Sequence, residues 1–337
     1  MSLTIALAGD TMLGRGVAPQ IEQSTDPADF LSSELLGRLA EADFFLLNLE
    51  CCVSARGSRW EARGKPFHFR APPQAADLLA RLGVGCVTLA NNHALDYGYE
   101  ALTDTLDHLG RAGIGTVGAG PDLDRARRPA VFTVRGTRLG VIGVSDHPRD
   151  FAAEPARPGI AYADLSSGTP PWTLDAIREL RPRVDAVLVT PHWGPNMTDR
   201  PLPYVRTAAW DFVGAGATVV AGHSAHVFHG VDPPVLYDLG DFIDDYAVDE
   251  LLRNDLGLLW FVEFGERGPV RLRALPIKLA YARTRAAHGE EWAWIRRRFT
   301  QACARMGTAV SVEEGEFVVG LGNHAYAEAM EESPPEG

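Results

Sequence analysis

The sequence predicts an α/β protein: a mixed β-sheet flanked by helices, with a second mixed sheet stacked on it to make a four-layer sandwich. Two observations carry this prediction. Short β-branched runs alternate with amphipathic stretches of helical period, the pattern of a parallel or mixed sheet covered on both faces. Toward the C-terminus strands outnumber helices, and that surplus predicts the second sheet. No internal repeat or low-complexity linker interrupts the pattern. Residues 1–330 therefore read as a single domain and residues 331–337, Glu-Glu-Ser-Pro-Pro-Glu-Gly, as a flexible tail.

Taken in order, Thr4–Ala8 is the first strand and ends in Gly9-Asp10. Between Pro27 and Ala42, the residues Phe30, Leu31, Leu35, Leu36 and Leu39 recur at helical spacing. Phe44–Leu49 is a buried-type strand, Ala75–Leu82 a helix, and Gly85–Leu89 the next strand, running into Ala90-Asn91-Asn92-His93. A helix over Thr103–Gly113 stops at Gly113, and Ile114–Val117 is a short strand. Val131–Val134 and Arg138–Val144 form a hairpin around Gly136, leading to Ser145-Asp146-His147. Ala152–Gly168 is the loosest internal stretch. Helices over Leu174–Leu180 and Tyr204–Gly214 precede the strands Ala186–Thr190 and Thr218–Ala221 respectively. Strands at Val235–Leu239, Leu258–Phe264 and Val270–Ile277, a helix from Glu290 to Arg305 and a strand around Phe317 complete the chain.

Composition narrows the function classes. The 337 residues are 46% apolar and 23% charged, a globular balance. A net charge of −12 argues against a nucleic-acid partner, because phosphate backbones are bound by concentrated Lys and Arg. The runs Arg127-Arg128 and Arg296-Arg297-Arg298 read as solvated helix faces. Four cysteines, Cys51, Cys52, Cys86 and Cys303, contain no C-x-x-C pair and read as packed thiols in a reducing compartment. The N-terminus lacks a basic leader, and no apolar run is long enough to span a bilayer, so a cytoplasmic, unanchored protein is expected.

Five strands end alike, with an apolar run followed by residues of metal-ligand or acid–base type: Gly9-Asp10, Asn48-Leu49-Glu50, Asn91-Asn92-His93, His192-Trp193-Gly194 and Gly222-His223-Ser224-Ala225-His226. In open α/β sheets, ligands bind outside the carboxyl ends of strands, so distant residues can share one pocket. Each motif also has a plainer reading. Asp10 could cap a helix, Asn91 and Asn92 could form turns, His93 could pack in the core, and Trp193 could be a pocket wall or core. His223 and His226, three apart after a strand, are the strongest pair. Imidazole with carboxylate suits zinc, manganese or iron, and two ions would clamp a phosphoryl or carbonyl group. Arg15 and Lys65 are candidates to hold a substrate carboxyl, His68 could touch substrate, and His147 sits at a further strand end.

These motifs resemble one family. Gly9-Asp10-Thr11-Met12-Leu13-Gly14-Arg15, Asn48-Leu49-Glu50, Lys65-Pro66-Phe67, Ala90-Asn91-Asn92-His93-Ala94-Leu95-Asp96-Tyr97-Gly98, Gly118-Ala119-Gly120, His192-Trp193-Gly194, Gly222–His226 and Leu239-Gly240-Asp241-Phe242 are similar, in order, to the CapA family. That family is named for poly-γ-glutamate capsule synthesis and has the calcineurin-like metallophosphoesterase fold. The resemblance implies Asp10 and His226 at a first metal site and Glu50 as the bridging carboxylate. It places Asn92, His192 and His223 at a second site and His93 as a substrate-facing acid. The chain departs from the pattern at Met12, where a histidine is usual, at Glu50 for the usual Asp, and at Asp241 for the usual Asn. Asp241 thus adds a carboxylate beside the site and joins Arg15, Lys65, His68 and Trp193 among the substrate-binding candidates.

The expected function is a metal-dependent hydrolase or transferase on a phosphoester, γ-glutamyl or peptide substrate, with Asp10, His93 and His192 as catalytic groups. Zinc, manganese or iron is expected, as one or two ions, although the departures also allow none. One alternative is a metal-independent peptide Cα epimerase on the same scaffold. Another is a non-catalytic partner in poly-γ-glutamate synthesis. The expected partner is a small molecule or peptide, with neither nucleic acid nor membrane; oligomeric state is not legible.

Overall fold

The strand Leu3–Thr11 runs through the middle of a ten-stranded sheet in the computed structural model, which describes residues 3–321 apart from 63 and 267. On one side it pairs in parallel with Phe44–Leu49, followed by Cys86–Thr88 and Gly115–Val117. On the other it pairs antiparallel with Leu256–Gly265, followed by Gly268–Ala280, Glu316–Gly320 and Ser311–Glu313. A second, six-stranded sheet has the order Val231–Asp232, Val235–Leu236, Val219–Ala221, Ala186–His192, Thr137–Ser145, Ala130–Val134.

The two-residue period of the strands explains the layering. Leu3, Ile5 and Leu7 point with Phe44 and Leu46 into a core shared with Leu139, Val141, Leu188 and Val219 of the smaller sheet. The intervening residues Ala6, Ala8, Phe45 and Leu47 face the other way, onto helices that supply Leu35, Leu78 and Leu102. Across the smaller sheet, Ile142, Val187 and Val189 pack under the helices Pro171–Leu180 and Pro203–Ala215 through Ile177, Leu180 and Phe212. Helices, sheet, sheet, helices: this is the four-layer sandwich that the sequence predicts. Each fully buried Leu- or Phe-sized side chain contributes roughly 1.5–3 kcal/mol toward holding these layers.

The composition of the second sheet differs from the sequence-based expectation. The strand-rich C-terminal segment does not form it; the hairpin of Leu256–Gly265 and Gly268–Ala280 extends the first sheet beside Leu3–Thr11. The second sheet comes from the middle of the chain. Ala186–His192 is buried at every position, so it needs cover on both faces and takes an interior place between sheet and helices. The single helix expected over Pro27–Ala42 is two, Pro27–Phe30 and Ser33–Leu39. Leu31 breaks out to bridge Thr284, and Ser32 caps the second helix by accepting from the Leu35 N–H.

A short helix at Ala18–Gln23 was not expected, and the helix expected from Thr103 starts a turn earlier, at Gly98. The stretch 152–168 is irregular but not loose. Ile160 pairs with Ala119 and is fully buried, as is Ala161. The C-terminal helix Gly289–Ala304 drives Phe299 into the inter-sheet core, against Trp260 and Phe317. The tail at 331–337 lies outside the described residues. No helix among those described is long and apolar enough to cross a membrane, and all four cysteines are free and buried.

Candidate metal and acid–base site

The carboxyl ends of the two sheets meet over Asp10. Gly9 lets its strand pass the neighbouring Leu239-Gly240 turn, since a Cβ at Gly9 would lie 1.8 Å from the Gly240 oxygen. Asp10 is fully buried; its N–H donates to the Gly240 carbonyl at 2.9 Å, and the Asn48 amide donates to its Oδ1 at 2.7 Å. Asn91 continues that ladder, donating to Asn48 Oδ1 and to the Leu49 carbonyl, both at 2.9 Å, while accepting from the His93 N–H. Asn91 is thus a structural brace that aligns the strand ends carrying Asp10 and His93.

His192 ends its strand with Nδ1 2.7 Å from His223 Nδ1, and His223 Nε2 lies 3.1 Å from Thr190 Oγ1. His226 Nδ1 lies 2.8 Å from Asp241 Oδ1 and 3.2 Å from Asp10 Oδ2. The Gly222–His226 loop holds Ser224 and His226 at positive φ, +124° and +61°. Asp238 ties that loop down, accepting from Ala225 N at 2.7 Å and from Gly240 N at 2.9 Å. Strand register brings Asp241 beside Asp10, paired in parallel.

Two triplets of potential donors result, Asp10–His192–His223 and Asp10–His226–Asp241, each with its ligand atoms within 4.8 Å of one another. Asp10 Oδ2, His192 Nε2, Asp241 Oδ2, Glu50 Oε1 and Asn92 Oδ1 are buried without a hydrogen-bond partner. An unsatisfied buried polar group costs about 1–3 kcal/mol, more when charged, and the three of these atoms that belong to the triplets, on Asp10, His192 and Asp241, fit a divalent cation. The residues present therefore suit the metal that the fold implies.

Electrostatics separate the histidines. Burial drives His93 and His223 each down to about 4 and His192 well below the usual imidazole range, so all three are neutral at pH 7. Burial opposes the charge on His226 too, but the Asp241 and Glu50 carboxylates and the bonds to Asp10 and Asp241 hold it well above the usual range. Burial and the Asp10 charge push Glu50 well above the ordinary carboxylate range.

Beside the triplets, His93 Nδ1 is 2.6 Å from Asp96 Oδ2, and its ring stacks on Phe69 at 4.1 Å. Its Nε2 lies 4.0 Å from Glu50 Oε1. Asn92, His93 and His147 line a cleft of about 460 Å³ walled by Trp60, Phe67 and Phe151, within the size range of ligand pockets. The His147 and His192 rings are 5.1 Å apart.

Several sequence-based assignments need correction. Asp10, rather than Glu50, belongs to both triplets; Glu50 accepts from the Tyr246 hydroxyl at 3.1 Å and faces His93. Asp241 is a donor beside Asp10 and not a cleft-lining, substrate-facing group. Trp193 is core: it donates to the Tyr237 carbonyl at 2.8 Å and stacks on Phe212. His68 bonds the Trp60 carbonyl at 2.8 Å and meets Tyr97 edge-on, outside the cleft lining. Lys65 lines the cleft, but its ammonium is held by Asp96 Oδ1 at 2.7 Å and the Asn92 carbonyl at 2.8 Å.

Arg15 sits at the rim, paired with Asp245 at 3.1 Å, its guanidinium 5.6–5.8 Å from the Phe67, Phe69 and Tyr246 rings. Met12 is fully buried, its sulfur accepting from Gly14 N, so no ligand replaces the usual histidine there. Sequence reasoning assigned no role to Asp96, Tyr246 or Asp238. For Asp96 a signal existed, the spacing of three from His93, which a turn closes through the Asp96 N–H and His93 carbonyl at 3.2 Å.

Comparison with known proteins identifies the family. The family described as bacterial capsule synthesis protein PGA_cap matches residues 4–246. A Mycobacterium tuberculosis protein named a probable polyglutamine synthesis accessory protein is 31% identical, the match covering 91% of this chain and 93% of that one. The Bacillus subtilis PGA biosynthesis protein CapA is 28% identical over 72% of this chain and 63% of its own length. A hypothetical protein from Thermus thermophilus, solved by crystallography, aligns at a TM-score of 0.48 and 15% identity over 82% of this chain and 99% of that one. The chain belongs to the PGA_cap family of bacterial capsule synthesis proteins.

Proposed function

We propose that the site is a divalent-metal hydrolase or transferase centre. Its substrate is a γ-glutamyl or peptide amide or a phosphoester, and it serves the accessory role in polymer synthesis for which the M. tuberculosis relative is named. The observation that carries this reading is the sharing of Asp10 by two buried donor triplets, in which Asp10 Oδ2, His192 Nε2 and Asp241 Oδ2 have no hydrogen-bond partner. Asp10, His192 and His223 would hold the ion, with Asn92 Oδ1 free to join them. A bound ion there supplies Lewis acidity and a water acidified enough to act as nucleophile.

The chain's own residues do the rest. Asp96 accepts from His93 Nδ1, which fixes the tautomer that leaves Nε2 free to take a proton from the attacking nucleophile and pass it to the leaving group. Burial holds that imidazole down to about 4, so at pH 7 it is neutral and Nε2 is an acceptor with no proton of its own to give. Trp60, Phe67 and Phe151 give the cleft an aromatic lining. The Asn48–Asn91 ladder holds Asp10 in place, so little reorganisation accompanies reaction.

The test is turnover of a nitrophenyl phosphoester and of a γ-glutamyl anilide by protein reloaded with manganese, zinc or iron(II), beside His93→Gln. General acid–base loss predicts a fall in kcat of roughly 100-fold or more with metal retained. Turnover no faster than buffer on both substrates, from metal-loaded protein, sinks the reading.

A second reading has its own support. His93 Nε2 and Glu50 Oε1 face each other at 4.0 Å, an imidazole that burial lowers to about 4 opposite a carboxyl that burial and the Asp10 charge push well above the ordinary carboxylate range. Cα epimerisation of a peptide requires a base on one face of Cα and an acid on the other, so on this reading a bound peptide parts the two groups. Incorporation of solvent deuterium at Cα of a bound peptide by metal-free protein is its signature. Purely non-catalytic partnership predicts neither activity.

A further inference from the structure

Lys65 is the cleft cation whose charge is turned inward. Its side chain is 14% exposed, and the Nζ lies 2.7 Å from Asp96 Oδ1, 2.8 Å from the Asn92 carbonyl and 5.2 Å above the Phe151 ring. Those contacts fall on both flanks of His93, one at residue 92 and one at residue 96. Asp96 is fully buried and divides its oxygens. Oδ2 accepts from Phe69 N and His93 Nδ1, each at 2.6 Å, while Oδ1 faces Lys65. Among the described residues, Lys65 is the one Lys or Arg paired with that carboxylate.

We propose that Lys65 is a positioning residue for His93, acting through Asp96, and not a contact to substrate. This rests on the reading of His93 as the proton-transferring group. The physical case is one of orientation. A buried carboxylate is held in one plane only if both oxygens have partners. With Lys65 on Oδ1 and Phe69 N on Oδ2, the carboxylate plane is set, and its remaining lone pair meets His93 Nδ1. That bond makes Nδ1 the protonated nitrogen and leaves Nε2 bare toward the cleft. Without Lys65, the carboxylate can rotate, and the imidazole loses what selects its tautomer. The stacked Phe69 ring at 4.1 Å then fixes the plane of His93 but not which nitrogen carries the hydrogen.

Lys65 also latches its own segment. The Trp60 N–H donates to the Asp96 carbonyl at 2.8 Å, and the Trp60 ring meets Phe151 edge-on at 5.2 Å. Asp96 and Phe151 therefore each contact both Trp60 and Lys65, so the cleft wall and the His93 support are one assembly.

The test is spectroscopic first. Two-bond proton–nitrogen correlation spectra of protein labelled with nitrogen-15 histidine report the tautomer of each ring, and His93→Gln assigns the His93 signals. The parent is expected in a single Nδ1–H form. Lys65→Met should give a mixture of Nδ1–H and Nε2–H forms, and Lys65→Arg should restore the single form. If Lys65→Met does not fold, Lys65→Gln, which keeps a donor and loses the charge, takes its place with the same expectation. An unchanged Nδ1–H signal in the charge-neutral variant overturns the proposal.

The kinetic arm uses whichever substrate the metal-loaded parent turns over. Lys65→Met should lower kcat about 10–100-fold, as loss of a supporting partner does, with KM within about twofold. A raised KM with kcat held makes Lys65 a substrate contact and overturns the proposal as well. Absence of turnover in the parent defeats the functional reading only, and the tautomer measurement still decides the role of Lys65.

Discussion

Replacing Phe299 with alanine removes the ring that the C-terminal helix inserts between the two sheets. The perturbation is informative because the family match ends at residue 246, whereas Phe299 packs in one core with Ile5, Leu188 and Trp260. Phe299 is fully buried, stacked on Phe317 at 5.5 Å and edge-on to Trp260 at 5.6 Å and to Phe228 at 6.2 Å. A buried Phe→Ala change costs about 3–5 kcal/mol, and three aromatic contacts place this one in the upper half of that range. With about 2.1 cal/mol/K of unfolding entropy per residue, the chain has roughly 0.7 kcal/mol/K, so about 4 kcal/mol lowers Tm by roughly 6 °C. Calorimetry and far-ultraviolet dichroism should show one cooperative transition, displaced as a whole. A main transition left in place, with only a small early loss of helix, would refute the argument that residues before and after 246 share one core.

Other consequences follow from single contacts. Ser32→Ala removes the cap of the helix Ser33–Leu39 and should cost about 0.5–1 kcal/mol in denaturant unfolding, no change meaning that the 3.4 Å bond is idle. Gly222→Ala drives a Cβ to 2.4 Å from both Trp193 Nε1 and the Tyr237 oxygen, so it should destabilise by about 3 kcal/mol or more and displace His223. Wild-type-like melting of that variant would contradict the close approach. Burial pushes His229 down to about 4 from 6.5. Between those values the unfolded chain binds a proton that the native protein refuses, so stability is full above pH 6.5 and falls as pH drops toward 4. The slope is about 1.4 kcal/mol per pH unit, roughly 3 kcal/mol in all, and His229→Gln should remove that increment from the parent's acid sensitivity. Identical pH slopes for parent and variant would show that His229 is not the group responsible.

Much of this architecture is legible in the sequence because its signals are local. A β-branched run followed by a polar residue marks each strand end, and Asp10, His93, His192 and His223 are all found that way. What sequence does not carry is pairing between distant segments. Nothing near residue 256 says that its strand joins Leu3–Thr11 and not the second sheet. Nothing near Asp241 says that it lies in register beside Asp10.

Glu50 illustrates the same limit at short range. Its strand ends at Leu49, and its carboxyl accepts from the Tyr246 hydroxyl, nearly two hundred residues on, and lies 4.0 Å from His93 Nε2. Lys65 is legible as a cation but not as a paired one, because its partner Asp96 is brought to it by the turn after His93.

Metal content by elemental analysis, on protein purified without chelator, tests the central claim most directly when Asp10→Ala and His223→Ala are measured beside the parent. The account predicts near-stoichiometric zinc, manganese or iron in the parent and its loss in both variants with the fold intact. A folded parent that takes up none of these metals, even after loading, would contradict it, and the donors around Asp10 would then serve metal-free acid–base chemistry.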